Sequence, residues 1–304
     1  NLDDLESGAR VDIESNKDDP LAFVLWKMEK PNEPKCPSPW GDGRPGWHIE
    51  CSAMSTHFID DHFDIHGGGM DLTFPHHENE IAQSEGATGC KFVNTWMHVG
   101  FVNINDEKMS KSLNNFFTIR DILEKYDGET LRYFLISSHY RSPLNFSSTN
   151  IDSAKSALKR LYTATRGLSD NVGINYVSNN NLDYEDRFNS ALNDDFNTPI
   201  AISILFEIAK QINVERLNDL KKANALSQLL KKLANFLGIL EYDADEYLKQ
   251  GSELSENEIL DKISKREQAR LSKDFAMSDQ VRDELLEFGI ILEDTADGTT
   301  WRRR

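Results

Sequence analysis

The chain has 304 residues, with 51 acidic against 34 basic side chains for a formal net charge of −17, and 38% apolar content. That size suits two or three domains, and that composition excludes a chain that is disordered as a whole. No apolar run approaches the roughly 18 residues of a membrane span, and the opening NLDDLESGAR lacks the basic and apolar regions of a secretory signal, so a cytoplasmic protein without a membrane partner is expected.

Three cysteines, Cys36, Cys51 and Cys90, argue against a disulfide framework and for thiol or metal chemistry. The acidity argues against non-specific nucleic-acid binding, because phosphate neutralisation needs clustered Lys and Arg. The first residue is Asn1, and the sequence reads as a fragment or a processed product.

Residues 1–47 are irregular, interrupted by Pro20, Pro31, Pro34, Pro37, Pro39 and Pro45 and by Gly41, Gly43 and Gly46. The one apolar run, LAFVLWKM, predicts a short buried strand or helix. Phe63–His66 (FDIH) followed by Gly67, Gly68 and Gly69 predicts a buried strand entering a glycine loop. Pro75 then suits the first residue of a helix that Gly86 could end. Strand, loop and helix in that order imply α/β construction, with ligands gathered at the carboxyl ends of the strands.

Trp96–Asp106 reads as strand material, with Gly100 as an interruption and Asn105-Asp106 as a turn. Thr118 caps a helix over IRDILEKYDG that Gly128 closes, and ETLRYFLISSHY continues as a second. Ile151, Ala154, Leu158 and Leu161 recur at helical spacing behind a Ser147–Asn150 start signal. GINYVSNNN reads as a linker. Thr198-Pro199 opens a helix faced by Ala201, Ile204, Ile208 and Ile212, and Leu226, Leu229, Leu233 and Leu237 line another before Gly238. These helices predict an antiparallel bundle. DADEYLKQGSELSENE reads as a second linker, followed by a charged helix pair and a hairpin around Asp297-Gly298.

TFPHHENEIAQS, Thr73–Ser84, carries the most chemistry. With Pro75 as first helical residue, His76 and Glu80 lie four apart on one face, close enough to chelate one ion, while His77 and Glu78 point elsewhere. An isolated pair of this kind is usually an ordinary surface pair. Here seven of the eight histidines, His48, His57, His62, His66, His76, His77 and His98, fall in one stretch with Cys51. Cys51, His76 and Glu80 would fill three positions of a tetrahedral zinc site, and spacing alone leaves the metal and surface readings both open. Lys108–Ser112 (KMSKS) is a polar run with two ammonium groups suited to closing over a polyphosphate, or else a solvated loop.

KMSKS is also the second signature of class I aminoacyl-tRNA synthetases. GRPGWHIECSAMS, DIHGGGMDLTFPHHENEIAQSE, GFVNINDEKMSKSLNNF, DDFNTP and REQARLSKDFAMSDQVRDEL, in that order over nearly the whole chain, resemble the cysteinyl-tRNA synthetase family. The resemblance implies the second half of a Rossmann-like catalytic domain over 1–146, a tRNA-binding helical bundle over 147–245 and a small α+β anticodon-recognition domain over 246–304. It implies one Zn2+ per subunit, held by Cys51, His76 and Glu80, that binds the substrate thiolate and rejects serine. Trp47 would close the amino-acid pocket and His66 would stand in it. ATP with Mg2+ would lie against Gly68, Gly69, Asp71, Val102 and Lys111. Lys111, with Lys108 a weaker assignment, would meet the phosphates as cysteinyl-adenylate forms and passes its acyl group to tRNA(Cys). A monomer binding L-cysteine, ATP and tRNA(Cys) is expected.

The chain departs from the family in lacking a HIGH-type signature and a fourth zinc ligand, so weak zinc binding and no adenylate formation by this chain alone are expected. The net acidity confines any tRNA surface to Lys155, Lys159, Arg160 and Arg166, to Lys265, Arg266, Arg270 and Lys273, and to Trp301 beside Arg302, Arg303 and Arg304. An exposed Trp301 would stack on an unpaired base. The competing readings are a cysteine ligase acting on a small amine and a non-catalytic zinc- or tRNA-binding module. REQARLSKDFAMSDQVRDEL and TTWRRR favour the synthetase over the first, and KMSKS favours it over the second.

Overall fold

A computed structural model of the chain describes residues 22–104, 107–109, 117–169, 183–250, 254–295 and 298–303. These fall into two compact units, one within Asn1–Met109 and Tyr140–Leu144, the other within Ser110–His139 and Asn145–Arg304.

In the first unit, β1 (Trp26–Met28) pairs antiparallel with β2 (Gly43–Pro45). Among its described residues the run LAFVLWKM therefore yields only three in a strand, and Leu25 and Met28 there are exposed rather than buried. Helix α1 (Trp47–Phe58) follows directly and packs against α2 (Glu78–Thr88). Strand β3 (Phe63–Gly69) runs parallel to β4 (Val93–Val99) with Gly68 opposite His98 and His66 opposite Trp96. The three glycines expected as a loop thus belong to the strand, because the parallel pairing continues to Gly69 and Val99.

The helix expected to start at Pro75 starts at Glu78. Phe74 is extended at φ −135°, ψ 136°, and Thr73–His77 forms one wide helical turn before α2. Its end is Gly89 in the left-handed region at φ 72°, not Gly86. Phe63, Phe92 and Val93, with Ile81 and Trp96 against them, form the core beneath the β3–β4 pair.

Beyond β4, β5 (Val102–Ile104) pairs antiparallel with β6 (Glu107–Lys108). Gly100 between β4 and β5 is required by close approach. Its N–H donates to the Tyr140 carbonyl at 2.8 Å, and a Cβ there would stand 2.3 Å from the Ser142 carbonyl oxygen. The Leu144 N–H donates to the Phe101 carbonyl at 2.8 Å, which fastens 140–144 to this unit.

The second unit is mostly helical. Thr118 and Asp121 close a capping box on α3 (Ile119–Leu123). Gly128, expected to end that helix, begins α4 (Gly128–Ile136) instead, since Asp127 Oδ1 caps it by accepting from the Thr130 N–H at 2.7 Å. Then come α5 (Ser148–Thr165), capped by Ser147, α6 (Tyr184–Asn193), α7 (Thr198–Asn218) and α8 (Leu220–Phe236). The cap of α7 is Asn197 rather than Thr198, with Oδ1 accepting from Ile200 N–H. Ile151, Leu158, Leu161, Ile204, Leu205, Ile208, Ile212, Leu226 and Leu230 are fully buried, so the apolar faces read from sequence do meet. Each such side chain contributes about 1.5–3 kcal/mol.

The segment expected as a second linker contains α9 (Ala244–Lys249), capped by Asp243. Helices α10 (Glu256–Leu271) and α11 (Phe275–Glu287) pack on an antiparallel hairpin, β7 (Ile290–Thr295) and β8 (Gly298–Arg303). Their core is Ile259, Ile263, Val281, Leu285, Ile290 and Trp301. Arg166 ties the hairpin to α5 and α9, donating to Asp245 at 2.6 Å, Glu293 at 2.9 Å and the Trp301 carbonyl at 3.0 Å. GINYVSNNN, Asn105-Asp106 and Asp297 lie outside the described residues.

Candidate metal and substrate site

The carboxyl ends of β3 and β4, the start of α1 and the start of α2 bring most of the histidines of the first unit together. At their centre is Glu80, 0% exposed. Its Oε2 accepts from His66 Nε2 at 2.8 Å, and its Oε1 lies 2.6 Å from His76 Nε2. The second contact is close without hydrogen-bond geometry, and Glu80 Oε1 is a buried oxygen with no hydrogen-bond partner. Cys51 Sγ stands 3.5 Å from the same His76 nitrogen. A sulfur, an imidazole nitrogen and a carboxylate oxygen thus face one point, all within 4.8 Å of one another. An orphaned buried oxygen is costly unless something completes it, and this donor set fits a divalent ion of the zinc type.

The surroundings orient the set. His76 Nδ1 is hydrogen-bonded to His48 Nδ1 at 2.8 Å, which leaves Nε2 for the shared point. His77 does not join this group. Its Nδ1 meets His98 Nε2 at 2.8 Å, and its ring lies so close to β3 that a Cβ on Gly68 would stand 2.7 Å from His77 Cε1. Trp96 covers both His66 and His77, with centroids at 4.7 and 4.9 Å. Trp47, 57% exposed, tilts over His76 at 4.3 Å and forms an aromatic rim.

Burial is the leading cause of every resolved shift here. It holds His48, His76 and His98 below the usual imidazole range and His77 at about 4, so these rings are neutral at pH 7. It pushes the Cys51 thiol up, assisted by the Glu80 and Glu50 carboxylates. Neutral imidazoles are ready ligands, and a cation at the shared point would displace the Cys51 proton.

The structure therefore brings Cys51, His66, His76, Glu80 and Trp47 together, with Gly68, Gly69 and Asp71 just beyond His66. Gly69 is held close to Asp71, whose Oδ1 would stand 2.4 Å from a Cβ at 69. The Val102 carbonyl accepts from the Met109 N–H at 3.0 Å, at the entry to the lysine motif. The Lys108 side chain and Lys111 lie outside the described residues. Sequence reasoning left His48, His77, His98 and Trp96 without roles. The available signal was the parallel register of β3 with β4, which places Trp96 and His98 opposite His66 and Gly68.

Trp301 requires a correction. It is 4% exposed, packed in the hairpin core because β8 alternates inward at that position, and it has no open face for a base. Arg302 donates to Glu293 at 2.6 Å. Lys159, Arg160, Lys210 and Arg302 line an open groove of about 1020 Å³ in the second unit. Burial, then the neighbouring charges of Lys155, Arg303 and Arg302, bring the Lys159 ammonium down to about 8.

Residues 1–156 match the family described as tRNA synthetases class I (C) catalytic domain. The cysteine–tRNA ligase of Methylococcus capsulatus is 57% identical over 306 residues, covering 100% of this chain and 66% of the relative. That of Laribacter hongkongensis is 55% identical over 306 residues, covering 99% and 65%. The chain belongs to the class I cysteinyl-tRNA synthetase family. It spans 65–66% of the length of these curated relatives. Residues 187–241 match the DALR domain, a range that begins inside α6 and ends just past α8. Among solved structures, LeuRS of Agrobacterium radiobacter K84 in a ternary complex with tRNA and LeuAMS matches with a TM-score of 0.50 at 15% identity, over 70% of this chain and 33% of that one. That likeness is one of fold. No helix among the described residues is long and apolar enough to cross a membrane.

Proposed function

We propose that this chain carries the cysteine-selecting metal site of a cysteine–tRNA ligase, in which L-cysteine is activated with ATP and Mg2+ and passed to tRNA(Cys). The single observation that carries the reading is the buried Glu80 carboxylate, whose unpartnered Oε1 shares one point with His76 Nε2 and Cys51 Sγ. Zinc bound there would supply a metal–thiolate bond that a serine hydroxyl cannot match. Beside the three donors this chain supplies, the ion would keep coordination open for the substrate sulfur.

The chain's own residues do the rest. His48 holds the His76 ring so that Nε2 faces the ion. Trp47 forms the rim against which the amino acid packs, and Trp96 keeps the floor dry beside His66. Gly68, Gly69, Asp71 and Val102 are assigned to ATP, with Lys111 and Lys108 neutralising its phosphates as pyrophosphate leaves, a step in which positioning and charge do most of the work. The groove of Lys159, Arg160, Lys210 and Arg302 is assigned to tRNA phosphates. Trp301 is withdrawn from that surface and given a structural role. The reading includes a cytoplasmic monomer with one Zn2+ per subunit.

Metal analysis tests the reading. The chain is expected to bind one zinc, weakly because it supplies only three protein ligands, and Cys51→Ser or His76→Gln to weaken that binding at least about tenfold further. A chain that takes up no zinc, or a Cys51→Ser variant that holds it unchanged, contradicts it.

A further inference from the structure

Glu80 offers its two oxygens to two different sets of donors. Oε1 belongs with His76 and Cys51, while Oε2 lies 2.8 Å from His66 Nε2. On that second side the ligand atoms of His66, His77 and Glu80 also lie within 4.8 Å of one another. Glu80 and His77 are 0% and 3% exposed, and the His66 side chain keeps 21% exposure, so the set is walled in but reachable from the pocket.

Each donor is held in place. A ligating histidine binds through one ring nitrogen and hydrogen-bonds through the other. His98 engages His77 Nδ1 at 2.8 Å, so Nε2 is the atom His77 has for an ion. The Gly68 backbone blocks movement of that ring on one side and the Trp96 indole on another. Trp96 also stands edge-to-face against His66. Two imidazoles and one carboxylate oxygen form a donor set that zinc and other first-row divalent ions accept, with positions left open.

We propose that His66, His77 and Glu80 form a second divalent-cation site, with Glu80 bridging it to the Cys51, His76 and Glu80 site. Two ions bridged by one carboxylate would stand about 3.5–4 Å apart. Both draw on a single carboxylate charge, and only the first has a thiolate as well, so the second ion binds more weakly and fills when divalent metal is in excess. Filling it takes His66 away from the amino-acid pocket. That consequence, though not the site itself, rests on the function proposed above: the second ion opposes cysteine binding, and excess metal inhibits.

Cobalt(II) titration of the metal-free 304-residue chain tests the proposal. The first equivalent is expected to bring the thiolate-to-cobalt charge-transfer band. The second adds visible ligand-field absorption with no further charge transfer, and attenuates the electron paramagnetic resonance signal of the first through the shared carboxylate. His77→Gln binds one equivalent with the charge-transfer band intact. His98→Gln, which leaves every ligand in place, weakens the second equivalent about 10- to 100-fold and spares the first. Unchanged far-ultraviolet circular dichroism verifies that both variants fold. Saturation at one equivalent overturns the proposal while leaving the cysteine-selecting site standing, and a His77→Gln variant that still takes two equivalents overturns it as well.

Discussion

Replacing Trp301 separates a structural from a nucleic-acid role for the aromatic beside the terminal arginines. The indole is 4% exposed among Ile259, Ile263, Val281, Leu285 and Ile290, and its backbone carbonyl accepts from Arg166. Truncation to alanine removes nearly all of that packing, a change that costs about 3–5 kcal/mol in a core. Phenylalanine behaves differently. The Trp301 Nε1 is buried without a hydrogen-bond partner, a liability of about 1–3 kcal/mol that Trp301→Phe removes while restoring most of the apolar volume. The expected net effect of Trp301→Phe is therefore within about 1–1.5 kcal/mol of neutral. Amide hydrogen exchange along β7 and β8 reads both, with alanine accelerating exchange by the equivalent of its full cost and phenylalanine changing it little. tRNA affinity of the phenylalanine variant should match the parent. A large loss of tRNA affinity with normal hairpin protection would refute the reasoning and return Trp301 to the binding surface.

Metal affinity should rise with pH. Burial and the nearby carboxylates raise the Cys51 thiol above its ordinary value, so the thiol is protonated at pH 7 and each ion bound at the first site releases one proton. Competition with a chelator should show affinity rising about tenfold per pH unit up to the thiol pKa, a slope that Cys51→Ser flattens. Gly68→Ala should displace the His77 ring, since its Cβ would stand 2.7 Å from Cε1, and should weaken the second cobalt equivalent with little change in the first. Gly100→Ala meets backbone 2.3 Å away at Ser142, which cannot step aside as a side chain would, so a loss of about 1–3 kcal/mol and faster amide exchange at Gly100 and Leu144 are expected. tRNA affinity, if carried by Lys159, Arg160, Lys210 and Arg302, should fall steeply with salt, and Lys210→Ala should reduce that slope by about one unit.

The partnership of His76 with Glu80 was legible in the sequence because four-residue spacing survives a change in where the helix begins. The beginning itself was not, since Phe74 is extended and Thr73–His77 turns wide before α2 regularises. His77 with His98 was beyond local reasoning. The β3–β4 register sets His98 opposite Gly68, and the turn before α2 lays the His77 ring against that glycine, a contact across 21 residues that no periodicity announces. Buried faces of α5, α7 and α8 were readable because apolar spacing directly reflects burial. Trp301 misled because its three arginine neighbours suggest exposure, whereas strand alternation buries position 301 and leaves 300 and 302 outward. Gly128 misled for a similar reason: glycine ends many helices, but an aspartate just before it caps a new one.

The most direct test of the central claim is whether the metal at Cys51, His76 and Glu80 chooses sulfur. A chain loaded with one equivalent of cobalt(II) should gain a second thiolate-to-cobalt charge-transfer contribution when L-cysteine is added, and none with L-serine at the same concentration. Identical spectra with the two amino acids, in a chain that holds the metal through Cys51, would contradict the account.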